Sequence, residues 1–404
     1  MADTGVTIES VRTRQDLEEF IRFPFKLYRG DPNWVPALLS ERRKFLSPDH
    51  NPFFEHAEAA LWMARRNGQV VGTISSHVDQ LHNQVHGEQV GMFGFFETVK
   101  DYTVAEALLS TARDWVSERG LTVLRGPLSF SQNHECGLLI NGFDGPPVVM
   151  MTYNPPYYVD FIEHFGLVKA MDLYAYVGDL AQFEGDVSRL PAKLLRVTEK
   201  MKHRSGIVTR PANMREFDRE IERAEHVYNQ AWEKNWGFVP MTEAEIQQLA
   251  ADLRPVIDPK LAIIAEIDGE PVGVSIALPD FNQVLKHLNG RLFPFGWLKA
   301  LWYARKITTV RLIVLGVVQE HRGRGIESLL ILETLKAAVV SGYRAIEMSW
   351  ILENNDQMNR VVINAGQPYG AHVYRTYRIY QMPVANAQES IAPSGYTSPP
   401  SMPA

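Results

Sequence analysis

Residues 64–79 read ARRNGQVVGTISSHVD and residues 265–280 read AEIDGEPVGVSIALPD. Laid over each other they share the alanine, two glycines, a valine and the final aspartate, and each breaks at a polar pair, Asn67-Gly68 in one and Asp268-Gly269 in the other. Asn-Gly and Asp-Gly tolerate the positive φ angles of a type I′ turn between two strands. Each segment therefore predicts a hairpin. The surroundings recur too. PNWVP at 32–36 and NWGFVP at 235–240 each follow a helix-like stretch. Downstream, Val104, Leu108, Ala112, Trp115 and Val116 share one helical face, and Gly120 can close that helix. Residues 326–340 form a mostly apolar helix closed by Gly342, in which Glu327, Thr334 and Ser341 recur every seventh position and predict a solvent-facing stripe. A short strand follows each helix, TVLRGP in one half and AIEMSWIL in the other.

Each half thus reads β–α–ββ–β–α–β–α–β, an α/β unit carried twice. Boundaries follow at 1–180 for the first domain and 207–384 for the second, with a helical connector at 181–206. The Pro-, Ser- and Ala-rich residues 385–404 read as a disordered tail. Two domains suit 404 residues, because one core rarely serves much beyond about 250.

Composition narrows the function. Apolar residues make up 45% and charged residues 22%, as in soluble globular proteins, and the net charge of −6 argues against a nucleic-acid partner. The single cysteine, Cys136, fits a reducing compartment, and the absence of a signal peptide or spanning run predicts a cytoplasmic protein. No spacing of His, Cys or carboxylates predicts a metal site.

The most specific stretch is VVQEHRGRGIESLLI at 317–331, where a strand meets a helix through Arg322, Gly323, Arg324 and Gly325. A helix N-terminus offers unpaired N–H groups and partial positive charge, and glycine lets an anion approach the backbone. Strand, EHRGRGI, helix, strand and ENNDQMNRVVINAG together resemble the GNAT acyl-CoA N-acyltransferases. The resemblance implies two tandem GNAT-like domains, with mixed central sheets flanked by helices. It implies coenzyme A or acyl-CoA as co-substrate and no metal. The pantetheine arm would lie along Leu315, Val317 and Val318, the pyrophosphate on Arg322, Gly323, Arg324, Gly325 and Ile326, and Asn355 would contact the cofactor. Two departures stand out. Glu327 replaces a small residue, and Val362 falls where the family often has a tyrosine that protonates the leaving thiolate. The first half has Glu97 and Asp101 where the second has arginines and glycines, which predicts one CoA site, with the first domain shaping an acceptor pocket.

Attack by an amine requires a proton acceptor. Glu353, at the end of the strand before Asn355, is the first candidate, although it could equally cap the next helix; Glu347 lies deeper on that strand. Tyr374 is a candidate acid in the last strand. In the first half, SFSQNHECGLLINGFDGPP at 129–147 brings together His134, Glu135 and Cys136, as polar pocket wall or as a Cys-His nucleophile.

An insertion at 282–307 carries Lys286, Arg291, Lys299, Arg305 and Lys306 without an acidic residue, interleaved with aromatics. It predicts either peripheral contact with an anionic membrane through 291–306, at the inner face, or an amphipathic cover over the second domain or the seam between the domains. The layout also resembles bacterial acyltransferases that N-acylate lipid amines, GNAT-type ceramide synthases among them, and so implies a long-chain acyl group and a lipid amine acceptor. Rival expectations are transfer to a peptide amine and a non-catalytic CoA-binding sensor or scaffold.

Overall fold

A computed structural model describes residues 5–190, 192, 195–196, 199, 206–233, 235–366 and 369–384. The expected tail at 385–404 and most of the connector lie outside these residues. The first repeat begins with strand β1 (Val6–Ser10), helices α1 (Arg14–Leu27) and α2 (Leu39–Phe45), and the hairpin β2 (Ala57–Arg66) and β3 (Gln69–Asp79). It continues through α3 (Gln80–His86), β4 (Val90–Thr98), α4 (Tyr102–Glu118) and β5 (Val123–Gly126). Short strands β6 (Leu128–Ser129), β7 (Glu135–Cys136) and β8 (Leu138–Asn141) precede α5 (Tyr157–His164) and β9 (Val168–Asp179).

The second repeat runs β10 (Ile207–Pro211), α6 (Phe217–Trp232), α7 (Glu243–Leu253), β11 (Ala262–Ile267) and β12 (Glu270–Pro279). The insertion supplies α8 (Asn282–Leu285) and α9 (Gly296–Ala304). Then follow β13 (Thr309–Val317), α10 (Ile326–Val340), β14 (Ala345–Leu352), α11 (Asp356–Gly366) and β15 (His372–Pro383).

Local chemistry accounts for the repeat. Asn67, Gly68, Asp268 and Gly269 all take positive φ, and the turns close with Arg66 opposite Gln69 and Ile267 opposite Glu270. All five residues of the predicted α4 face are buried against the first half of the sheet. The second glycine of each hairpin lets the helix close on it. A Cβ at Gly72 would lie 2.7 Å from Leu108, and one at Gly273 would lie 3.0 Å from Leu330.

The polar stripe on α10 corrects the sequence reading. Glu327 and Thr334 are buried, and only Ser341 is exposed. α10 is enclosed on nearly every side, and Thr334 faces the sheet, where its hydroxyl lies 2.6 Å from Ser275 Oγ. A seven-residue spacing selects one face of a helix but does not say whether that face is wet.

The two halves share a single sheet, ordered β1-β2-β3-β4-β5-β15-β9-β14-β13-β12-β11-β10, with β8 also pairing β15. The last strand of each repeat therefore completes the other repeat's half. β15 pairs antiparallel with β5, β9 pairs antiparallel with β14, and β9 and β15 pair with each other.

A buried charge cluster also joins the halves. His56 Nδ1 lies 3.0 Å from Asp79, and its Nε2 lies 3.4 Å from Glu245 on α7. The carboxylates of Asp79 and Glu245 beside it raise the imidazole to about 10, against the desolvation that opposes its charge. Burial pulls both carboxyls upward, but His56 and backbone N–H donors outweigh it and hold them below their usual values. The histidine's contribution to stability is complete below its unfolded value near 6.5 and is lost as pH rises through about 10. The contribution of the carboxyls is lost as pH falls through the acid range. We expect His56→Ala to cost about 3–5 kcal/mol near neutral pH, because it removes the cation between the buried Asp79 and the largely buried Glu245. Thermal melts should show the wild-type advantage over the variant shrinking between neutrality and pH about 10.

Candidate active site

Two cavities open where parallel strands part. β13 and β14 pair only from Thr309 and Ala345 to Leu312 and Met348, so β13 beyond Leu312 keeps β12 on one edge and no strand on the other. A cavity of about 260 Å³ fills this gap, walled by Arg311, Ile313, Ser349 and Trp350 and roofed by α6 and α7. β4 and β5 part in the same way after Met92 and Arg125. There the cavity is larger, about 530 Å³, and mainly apolar, reaching from α1 and α2 to α7 and α8. Asn133, His134, Met150, Met241 and Leu249 line both cavities.

The two helices that start beside these gaps differ at their N-termini. In the first half Asp101 caps α4, accepting from Thr103 N at 3.0 Å, and pairs with Arg66 at 2.7 Å. In the second half Gly325 stands at the cap position of α10 with φ 81° and no side-chain cap. The N–H groups of Gly325, Ile326, Glu327 and Ser328 find no partner among the described residues. Gly323 has φ +72° and open space where a Cβ would stand, and Arg324 is exposed. Arg322 is instead tied inward, donating to Val317 O at 3.2 Å and to Ala231 O. Uncapped donors, open backbone and a free guanidinium suit a phosphate group. Leu315 and Val317 lie on the open-edged part of β13, and Val318 follows it. Asn355 Oδ1 caps α11 through Met358 N at 3.1 Å, which leaves its amide N–H groups to other partners. Val362 is buried in the core, so the position that often holds the family's tyrosine has no hydroxyl.

The acid–base candidates separate. Glu353 lines neither cavity; it accepts from Lys169 Nζ at 2.6 Å and from Asp172 N at 3.2 Å. Glu347 is buried behind the smaller cavity, 3.5 Å from Arg311 Nε, and desolvation pushes its carboxyl up to about 7 despite that charge. The Tyr374 hydroxyl is buried without a partner among the described residues, and burial pushes its ionisation upward. Neither residue lines either of these two cavities.

His134 stands in the wall shared by both cavities. Its Nδ1 lies 3.0 Å from Ser131 Oγ, and its ring packs edge-on against Phe45 and Phe53. Desolvation lowers it to about 4, so it is neutral at pH 7. Glu135 turns into the larger cavity, where Arg42 holds both its oxygens, at 3.1 and 3.0 Å.

Sequence reasoning missed two polar side chains in the cavities. Glu97 was read as part of the approach to α4, but it faces the larger cavity, accepting from Tyr28 and Tyr158 at 2.7 and 2.8 Å, and desolvation raises it to about 7. Its signal was a lone carboxylate inside the apolar strand GMFGFFET. Tyr228 lines the smaller cavity and donates to Asn133 Oδ1 at 2.9 Å; burial keeps its hydroxyl protonated. It shares an α6 face with Ala224 and Trp232 at helical spacing.

No protein-family model matches the chain. It is 39% identical over 386 residues to "Bacterial ceramide synthase" of Caulobacter vibrioides (strain NA1000 / CB15N), spanning 94% of this chain and 98% of that protein. The chain belongs to the tandem-domain GNAT acyltransferases. It is likewise 36% identical over 380 residues to "Protein YghO" of Escherichia coli (strain K12), spanning 93% and 94% of the two. A solved tandem GNAT protein from the clavulanic acid biosynthesis pathway shares the fold, with a TM-score of 0.55 at 13% identity over 94% of this chain and 99% of that one.

Within this GNAT acyltransferase Cys136 is a core residue. It is 3% exposed, and burial pushes its thiol up to about 12, so thiolate is scarce at neutral pH. Iodoacetamide at about pH 8 should alkylate the native protein on the order of a thousandfold more slowly than the unfolded chain. Comparable rates, read by mass spectrometry, would restore Cys136 as a nucleophile.

Proposed function

We propose that the protein transfers a long-chain acyl group from coenzyme A to the amine of a lipid-like amino alcohol. The observation that carries this reading is the meeting of two cavities at His134, one beside an open strand edge and an uncapped helix, the other large and apolar. Acyl-CoA would lie along Leu315–Val318, with its pyrophosphate at Arg324, Gly325 and Ile326. The acceptor would occupy the first-half cavity, whose size is within the range of about 300–1,000 Å³ usual for small-molecule sites. Polar groups in its wall, Glu97 and the Arg42–Glu135 pair among them, would take the acceptor's hydroxyls. The name of the Caulobacter relative supports a sphingoid acceptor.

The amine nitrogen attacks the thioester carbonyl, an N–C bond forms, and the C–S bond breaks. One amine proton is surrendered, and the thiolate leaves as thiol, so the reaction balances without another reactant. His134, neutral and facing both cavities, takes the proton. Tyr228, kept protonated beside Asn133, is placed to give one to sulfur, and solvent carries the proton from the His134 imidazolium back to the Tyr228 phenolate.

His134→Gln should lower kcat by about 10²–10⁴ while acyl-CoA still binds. Arg324→Glu should instead weaken acyl-CoA binding by tenfold or more, since a charged hydrogen bond contributes roughly 1.5–3 kcal/mol. Calorimetry with palmitoyl-CoA and acetyl-CoA, and turnover with a long-chain amino alcohol, check both. Full kcat in His134→Gln would remove the histidine from the mechanism, and binding of neither thioester would end the reading.

A further inference from the structure

The insertion presents its apolar side chains outward. Phe293 is 79% exposed and Leu301 60%, and Phe295, Trp297, Leu298 and Trp302 are exposed beside them. No residue of α9 is buried. Trp297, Leu298, Leu301 and Trp302 share one face of the helix by their spacing. Lys299, Arg305 and Lys306 are exposed around them, and Lys306 Nζ sits 3.2 Å above the Trp302 ring. From 282 to 308 the chain has no acidic residue, although its net charge is −6.

We propose that this surface docks on an anionic lipid bilayer. Trp and Leu with interleaved Lys and Arg are the composition of a helix lying in a membrane interface. No helix among the described residues is long and apolar enough to cross a membrane, so the protein would lie on the bilayer. A second copy fits poorly: a twofold contact sets the same patch against itself and brings like charges together. Lipid headgroups of phosphatidylglycerol type complement the charge.

The insertion is also fixed to the larger cavity. α8 lines that cavity through Asn282 and Leu285 and packs against α9. Leu39 N donates to Gly290 O at 3.0 Å, and Asn282 donates to Pro147 O at 2.8 Å. If the cavity holds the acceptor, as proposed above, a bilayer amphiphile has a short route into it; the docking itself does not depend on that reading.

The test is sedimentation of the full chain with vesicles of phosphatidylcholine alone or mixed with phosphatidylglycerol. Binding to the mixed vesicles only is expected. Lys299→Glu with Lys306→Glu should lower it by tenfold or more, since each basic residue near an anionic surface contributes about 1 kcal/mol. Leu301→Glu should abolish it, and melting temperature should stay unchanged in each variant. Turnover of a short, water-soluble amine, where present, should also be unaffected. Binding to neither vesicle, equal binding to both, or a dimer broken by Leu301→Glu would each overturn the proposal.

Discussion

The antiparallel pairing of β9 with β15 fixes one half of the molecule to the other. Each strand comes from the end of one repeat and gives its second edge to the other repeat, β15 to β5 and β9 to β14. Separating the repeats would break four strand pairings at once, β15 with β5, β8 and β9 and β9 with β14, and buried N–H and C=O groups without partners are costly. This seam is therefore no hinge. The wall between the cavities depends on it, because His134 and Met150 come from the first half and Met241 and Leu249 from the second. Two substrates brought together there gain from orientation only if the wall is held still.

Within that frame both repeats keep the glycine that lets a helix seat on its hairpin, and both let their parallel strands part. At the start of the helix beside each gap, the difference is one carboxylate. Asp101 fills the donors that begin α4, whereas Gly325 leaves those of α10 open. A cap and a phosphate compete for the same N–H groups. The capped half is closed to an anion at that point, and its gap is enclosed instead by phenylalanines of α1, α2 and β4, with Glu97 as a polar point in its wall.

Features set by neighbours in sequence were legible beforehand. The Asn-Gly and Asp-Gly turns, the buried face of α4 and the glycine-rich turn all depend on residues a few positions apart. The strand exchange did not show, because β9 and β15 alternate in the same way whichever half they complete. The surroundings of Glu353 did not show for a related reason. Its place after a strand suits a catalytic base, and only the fold brings Lys169, far away in sequence, to its carboxylate. Glu327 and Thr334 were set on a wet face because spacing reports periodicity and not burial. His134 was found as part of a polar loop, while its place between two cavities needed helices α6 and α7 of the other repeat.

The same residue type serves opposite ends on the two sides of this wall. His56 is held charged by Asp79 and Glu245, whereas His134, among Phe45, Phe53 and Ser131, is held neutral. The two environments are linked. Glu245 also lines the larger cavity and draws His134 toward protonation, but desolvation outweighs that pull and the charge on His56 opposes it. Asp79 of the same cluster pulls the same way as Glu245, so the charges that join the halves favour protonation on balance. What keeps a neutral imidazole at the point where the two cavities meet is the removal of His134 from water among Phe45 and Phe53.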